Sequence, residues 1–275
     1  MSHVVPLLVA LSLSAACSSN ESDSPSGGDG TATGGRPSGA LVRVFNAYAP
    51  LDGEPGPVDI YPKPWVLDGA KPLRTQPYGE LSEPFDPTVA DDAGDMFLSF
   101  YWANTTGNGN ELMSNTETLK GGEVLTYFLT TGSEQQSGGR RSGALHTYVH
   151  TPKPGFGIDV PPGKGLLSVD SIGLEAVLSN AADMHLFFSL GSGCAKGIGD
   201  SESTTQGVGP GSAGAYALDP GEHSGTVYDD AKCLKNPVAN ATFTISEGGR
   251  SVFFVYAVKD GDIRNVVVPL EPKTP

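Results

Sequence analysis

Turn-forming residues divide this chain into segments that are too short for long helices. Its 275 residues include 37 Gly and 22 Pro, and residues of these two types are the commonest breakers of regular structure. The segments between them carry β-branched and aromatic residues in the dense or alternating patterns of strands. The clearest are Ala40 to Ala47, Met96 to Trp102 and Val124 to Thr131. The pattern predicts an all-β protein of many short strands.

The N-terminal residues have the pattern of an export signal. The apolar stretch from Val4 to Ala16 is too short to cross a bilayer and ends in small residues before Cys17. This arrangement resembles a lipobox, in which a peptidase cuts before the Cys and its sulfur is lipidated. We therefore predict a signal peptide over residues 1–16 and a membrane anchor at Cys17. Ordinary cleavage, with Cys17 left unmodified, is the alternative.

A polar segment follows the predicted anchor. Residues 17–38 contain Ser, Gly, Asp, Thr and Pro but no apolar residue larger than Ala after Cys17, so they have too little apolar surface to form a core. We predict a flexible tether. Ser18 stands at the second mature position, where Asp marks inner-membrane retention in enteric bacteria. By resemblance, this favours an outer-membrane lipoprotein.

Two further cysteines, Cys194 and Cys233, lie in the second half of the chain. Outside the cytoplasm, disulfides form and persist, so we predict that these two residues are bonded. Two free, buried thiols are the alternative.

The second half repeats the order of the first at an offset of about 125 residues, the size of one domain. Leu41, Val42 and Val44 match Leu166, Leu167 and Val169, and Tyr127 matches Phe254. The sequence DVPPGKG between the halves cannot continue a central strand. We predict domains over residues 39–158 and 166–272, with a linker over 159–165.

Four motifs of the first half resemble a bacterial extracellular family, the domain of unknown function 4397, which often occurs in tandem. They are Val42 to Ala47, VDIY at Val58 to Tyr61, YGELSEPF at Tyr78 to Phe85, and GGEVLTYFL at Gly121 to Leu129. The resemblance implies two tandem immunoglobulin-like or transthyretin-like antiparallel β-sandwiches. The family has no established activity, so it implies no catalytic residue.

Charge and motifs exclude several classes of function. The net charge of −14 would repel nucleic acid. G-x-S-x-G and HEXXH are absent, which argues against common serine hydrolases and zinc peptidases. His146 and His150 share one face of a predicted strand and are expected to be solvated rather than metal ligands. Gly207 to Gly214 lacks the Lys of a phosphate loop. We expect no cofactor.

Two sets of residues are candidates for binding. Asp91, Asp92 and Asp95 offer oxygen ligands to calcium in a Gly-containing loop, and a solvated acidic turn is the alternative. Trp65, Tyr101 and Trp102 are aromatic residues near turns, and Trp102 precedes the polar run that ends at Asn110. Aromatic rings beside amides and hydroxyls bind sugars in many β-sandwiches, although core packing would also explain these rings.

We therefore expect a non-enzymatic cell-envelope lipoprotein whose partner is an envelope protein or a polysaccharide. The alternative is a glycan-binding or glycan-hydrolysing surface protein, for which Glu80 and Asp92 would be the paired carboxylates.

Overall fold

The computed structural model describes residues 40–50, 54–62, 66–87, 95–106, 110–118, 123–135, 141–150, 160–171, 173–179, 186–190, 206–207, 213–229 and 237–270. All of them belong to one compact unit, Gly34–Pro275.

The first half of the chain forms two sheets. Its strands are β1 (Leu41–Asn46), β2 (Val58–Tyr61), β3 (Arg74–Gln76), β4 (Asp95–Trp102), β5 (Glu111–Thr118), β6 (Val124–Gln135) and β7 (Arg141–His150). Sheet I has the order β1-β6-β7, and sheet II has the order β3-β2-β4-β5. Between them lies a core of apolar side chains that includes Val44, Ile60, Phe100 and Tyr127.

The second half forms two more sheets. Its elements are β8 (Gly165–Asp170), the single turn α1 (Leu174–Val177), β9 (Phe187–Leu190), β10 (Gln206–Gly207), β11 (Ala213–Leu218), β12 (Gly221–Tyr228), β13 (Pro237–Ile245), β14 (Arg250–Lys259) and β15 (Asp262–Pro269). Sheet III has the order β11-β8-β14-β15, and sheet IV has the order β10-β9-β12-β13. A second core, which includes Val169, Phe188 and Phe253, lies between them.

The prediction of an all-β fold built from sandwiches is confirmed, and the same topology occurs twice. In each half one pair of strands is parallel, β1 with β6 and β8 with β14, whereas the other named pairs are antiparallel. In each half, the free edge of the first strand, β1 or β8, pairs with a further segment of the chain. β11 pairs with β8 along its whole length, and an irregular segment pairs with β1 through bridges at Leu81 and Phe85. The repeated order is consistent with duplication of one unit. The predicted domain and linker bounds remain predictions.

A third apolar cluster joins the two halves. Sheet I and the residue after β1 contribute Phe45, Ala47, Phe128 and Tyr148. Sheet III and the residue after β15 contribute Val252, Phe254, Tyr256, Val258, Val268 and Leu270. Strands β6 and β14 therefore have apolar residues on both faces, which explains the unbroken buried run Ser251 to Val258. The four sheets form a stack in the order II, I, III, IV.

Equivalent residues meet at the centre of this stack. Val44 pairs with Tyr127 in the first half, and Val169 pairs with Phe253 in the second. Phe253 is therefore the counterpart of Tyr127, and Phe254 is the counterpart of Phe128. The rings of Phe128 and Phe254 lie 4.4 Å apart between centroids. Packing of a residue against its own counterpart is the mark of an approximately two-fold interface.

The sequence match of Tyr127 with Phe254 is therefore wrong by one residue. Successive side chains of a strand point to opposite faces. Phe253 faces the core of its own sandwich, as Tyr127 does, whereas Phe254 faces the first half.

Candidate functional site

The beginning of the first described strand lies beside the end of the last one. Arg43 of β1 is only 6% exposed. Its Nη2 donates to the carbonyl oxygens of Pro269 at 3.0 Å and Leu270 at 3.3 Å. Its Nε and Nη2 also donate to Oγ1 of Thr126. The point where the chain enters β1, at Leu41, therefore lies close to the end of β15. We call this the entry end.

The opposite end of β1 leads into loops that are held by a buried amide. Asn46 Nδ2 donates to the carbonyl oxygens of Gly56 and Gln76, both at 3.1 Å, and its Oδ1 accepts a hydrogen bond from the amide of Tyr48. The ring of Tyr48 then packs edge-on against Trp102, with 5.7 Å between centroids. We call this the far end of the first sandwich.

The structure separates the two neighbouring aromatic candidates. Trp102 is partly exposed and packs against the core between sheets I and II. Tyr101 points to the outer face of sheet II but is only 1% exposed, because Val66 and Tyr61 pack over it. Burial is the main cause that raises the pKa of Tyr101. The hydrogen bond from the Val66 amide lowers this pKa, and the charge of Glu111 raises it. Trp102 thus has the more accessible ring.

Hydrogen bonds hold the polar loop that follows Trp102. Asn104 adopts a left-handed backbone conformation, with φ of 63°, and its amide donates to Oδ2 of Asp59 at 2.9 Å. Thr106 Oγ1 donates to Oδ1 of Asp68 at 3.0 Å. Asn110 Nδ2 donates to the carbonyl oxygen of Thr106 at 3.0 Å. These bonds attach the loop to both β2 and the segment that precedes β3.

The segment before β3, which holds this loop through Asp68, also carries a strongly exposed apolar side chain. Leu67 is 80% exposed, and no other large apolar residue is comparably exposed in the described part of the chain. Its neighbour Asp68 bonds Thr106. The far end therefore combines two partly or fully exposed apolar groups, Trp102 and Leu67, with the amides and hydroxyls of the loop. The sequence reasoning missed Leu67 and Asp68, because nothing local shows that their segment reaches the loop after β4.

Other predicted site residues lie outside the described residues. They are Cys17, Cys194, Cys233, Trp65, Asp91 and Asp92. For Asp95, His146 and His150 the structure describes the strand but not the side chain. Gly207 ends β10, and Gly214 lies in β11. The lipid anchor, the disulfide and the calcium loop thus remain predictions.

The backbone of Glu80 helps to hold a turn, since its carbonyl accepts hydrogen bonds from Gln76 Nε2 and the Asn46 amide. Asp92 lies outside the described residues, so the carboxylate pair remains a prediction. Within the described ranges, no three His, Cys, Asp or Glu side chains are grouped as a metal site.

Helix α1, the single helix in those ranges, has four residues, and no helix there is long enough to span a membrane.

Comparison with known proteins adds no family. No family model and no curated protein matches the chain. The TIE protein of Bacillus anthracis is similar at 12% identity and a TM-score of 0.22, over 82% of this chain and 34% of that one. This chain thus spans about a third of that protein's length.

Two more solved structures are similar, both at a TM-score of 0.22. A "putative cell adhesion protein" from Bacteroides ovatus is 9% identical, over 84% of this chain and 96% of that one. GBS52, the minor pilin of Streptococcus agalactiae, is 11% identical, over 86% and 99%. Similarity at this level leaves the function to be argued from the geometry.

Proposed function

We propose that this chain is a non-enzymatic lipoprotein of the cell envelope that presents the far end of its first sandwich to an envelope protein or polysaccharide. In this proposal the lipid on Cys17 anchors the chain to the outer membrane. The tether over residues 17–38 leads into the entry end. The stack of four sheets acts as a rigid body between the anchor and the binding loops.

The position of the loops relative to the entry of the chain carries the proposal. Leu41 and Leu270 lie at the entry end, where Arg43 connects the first and last strands. Trp102 lies beyond the other end of β1, against Tyr48. We call the polar segment from Trp102 to Asn110 the Trp102 loop. If the tether enters at Leu41, this loop lies at the end of the body that is remote from the anchor. Binding residues commonly lie on loops held by a rigid scaffold.

The proposal includes no catalytic residue because the polar groups of the far end already have structural partners. Asp59 accepts hydrogen bonds from the Asn104 amide and the Thr75 hydroxyl. Thr106 and Asp68 bond each other. A general acid or base must be able to reach a substrate proton. These groups instead fix the loop in one shape, which suits binding.

The exposed groups favour an uncharged partner surface. Leu67 and the accessible part of Trp102 can pack on an apolar patch or a sugar ring. A polyanion would be repelled by a chain of net charge −14. The alternative, a glycan-binding protein, rests on the same Trp102 ring beside Asn104 and Thr105, and its test is binding of purified envelope polysaccharide.

Site-specific photo-crosslinking in cells tests this function. A benzophenone amino acid at Thr105 is expected to trap one dominant partner, and the same probe at Glu247, in the exposed turn at the entry end, is expected not to. Leu67→Asp should abolish the product from Thr105 without affecting folding, because Leu67 is 80% exposed. Equal products from both positions, or none from either, would instead indicate a spacer without a specific ligand.

A further inference from the structure

The outer face of sheet II carries two buried oxygen atoms that lack a hydrogen-bond partner. Ser99 is fully buried, at 0% exposed, and its Oγ has no partner. Oε1 of Glu111 is also buried without a partner. Natural proteins rarely leave buried polar atoms unpaired, and an ordered water or a bound ion is a common partner of such atoms. Only one other such atom, Oη of Tyr216, occurs in the described part of the chain.

The strand register places these two side chains on one face. Leu98 and Phe100 point into the core of the first sandwich. Ser99 and Tyr101 alternate with them along the strand and therefore point to the outer face of sheet II. Glu111 pairs directly with Tyr101 across the β4/β5 ladder. Ser99 pairs with Ser114, and the register shifts by one residue before the Tyr101 and Glu111 pair. Glu111 therefore lies diagonally across the ladder from Ser99, at a separation that a long side chain can span.

The face is acidic, and the strands provide no cation for it. Asp59 pairs with Tyr101 from the other side, so carboxylates flank this tyrosine on both neighbouring strands. Strands β2 to β5 contain no lysine, and their one arginine is Arg74. Its Nε donates to Oε1 of Gln76, and its guanidinium lies over the ring of Phe85 at 5.7 Å.

We propose that this face binds a hard cation of the calcium class between the carboxylate of Glu111 and the hydroxyl of Ser99. Both ligands are oxygen atoms, as calcium prefers. A bound cation gives both buried atoms a partner and compensates the charge of Glu111, and water supplies the remaining oxygen ligands that calcium requires. The site joins the two strands that flank the Trp102 loop, since Tyr101 lies just before the loop and Glu111 just after it. Cation binding therefore holds the two ends of the loop together and stabilises it.

Terbium luminescence of the full-length protein tests the site, because Tb³⁺ substitutes for calcium and is excited through nearby tyrosine rings. Tyr61 and Tyr101 lie on this face, with 5.5 Å between ring centroids. We expect sensitised emission that added calcium displaces, and a rise in melting temperature with calcium. Glu111→Gln should weaken binding about tenfold or more, as loss of a charged ligand does.

Three variants make the test specific. Ser99→Ala should melt no lower than the unsubstituted protein without calcium, because it removes an unpartnered hydroxyl, and should lose most of the calcium-dependent rise. Glu117→Gln alters the same strand on the opposite face, where Glu117 pairs with Met96, and should leave binding unchanged. Asp92→Asn should also leave it unchanged. Absence of terbium emission, normal binding by folded Glu111→Gln, or loss of binding in Asp92→Asn would each overturn the proposal.

Discussion

Arg43 connects the first and last described strands by hydrogen bonds. Burial is the main cause that lowers the pKa of its guanidinium, and the charge of Glu83 acts in the opposite direction. Arg43→Met removes the donor to two carbonyl oxygens and to Thr126, so we expect a loss of about 2–3 kcal/mol in the free energy of unfolding. Urea denaturation measures it.

The control for this variant is Arg264→Met, which removes an exposed ion pair with Asp262. Exposed pairs of this kind contribute at most about 1 kcal/mol. An equal loss in both variants would mean that the Arg43 hydrogen bonds do not hold the two strands together.

Tyr148 links the halves through a hydrogen bond from its hydroxyl to Oδ2 of Asp170. Burial first, and then the charge of Asp170, raises the pKa of Tyr148. Above about pH 10 the unfolded chain loses the tyrosine proton and the folded protein keeps it, so the free energy of unfolding falls as pH rises.

Tyr148→Phe removes one such proton. We expect the slope of unfolding free energy against pH to become less negative, by an amount that rises from about 0.7 kcal/mol per pH unit at pH 10 toward about 1.4 above pH 11. Urea denaturation at pH 9 to 11 measures both slopes. Parallel curves for the variant and the unsubstituted protein would contradict the assignment.

At the candidate site, sequence alternation predicts only part of the arrangement. It implies that at least one of Tyr101 and Trp102 points away from the core, and Tyr101 does so. It does not predict that Val66 buries Tyr101, or that Thr106 reaches Asp68. Those contacts depend on the path of a loop between β2 and β3, which local sequence patterns do not specify.

At the scale of elements, apolar runs located the central strands well. The predicted Val124 to Thr131 lies within β6, and Met96 to Trp102 lies within β4. The sequence match between the halves, Tyr127 with Phe254, is wrong by one residue because β14 is apolar on both faces. Alternation distinguishes the faces of a strand only when one of them is polar, so Phe253 and Phe254 look equivalent in sequence.

The turn before α1 packs closely against the first half, and a single glycine makes this possible. Gly173 has φ of +94°, and a Cβ there would lie 2.7 Å from Cβ of Thr130. Gly173→Ala therefore combines backbone strain with a clash, and we expect a loss of roughly 2–4 kcal/mol by urea denaturation.

Gly248→Ala is the matched control, since Gly248 also has positive φ, +71°, but no atom lies within 4 Å of its Cβ position. It should cost only about 1–2 kcal/mol, from strain alone. Equal losses in the two variants would mean that the contact with Thr130 contributes nothing.

For the whole molecule, the all-β class and the repeated order of strands could be predicted from turn density and repeated motifs, but the stack could not. Its interface includes the rings of Phe45, Phe128, Phe254 and Tyr256, and each of these lies in a strand whose other face fills its own sandwich core. A sequence pattern shows that a strand is buried on both faces. It does not show which sheet covers the second face.

The central claim is that the two sandwiches form one rigid body, which keeps the Trp102 loop at a fixed place relative to the anchor. Differential scanning calorimetry of the unsubstituted protein and Phe128→Ala tests it most directly. Truncating a buried Phe costs roughly 3–5 kcal/mol. We predict a single transition with equal calorimetric and van't Hoff enthalpies, and a shift of that whole transition to lower temperature in Phe128→Ala. Two separate transitions, only one of which moves in the variant, would contradict the claim.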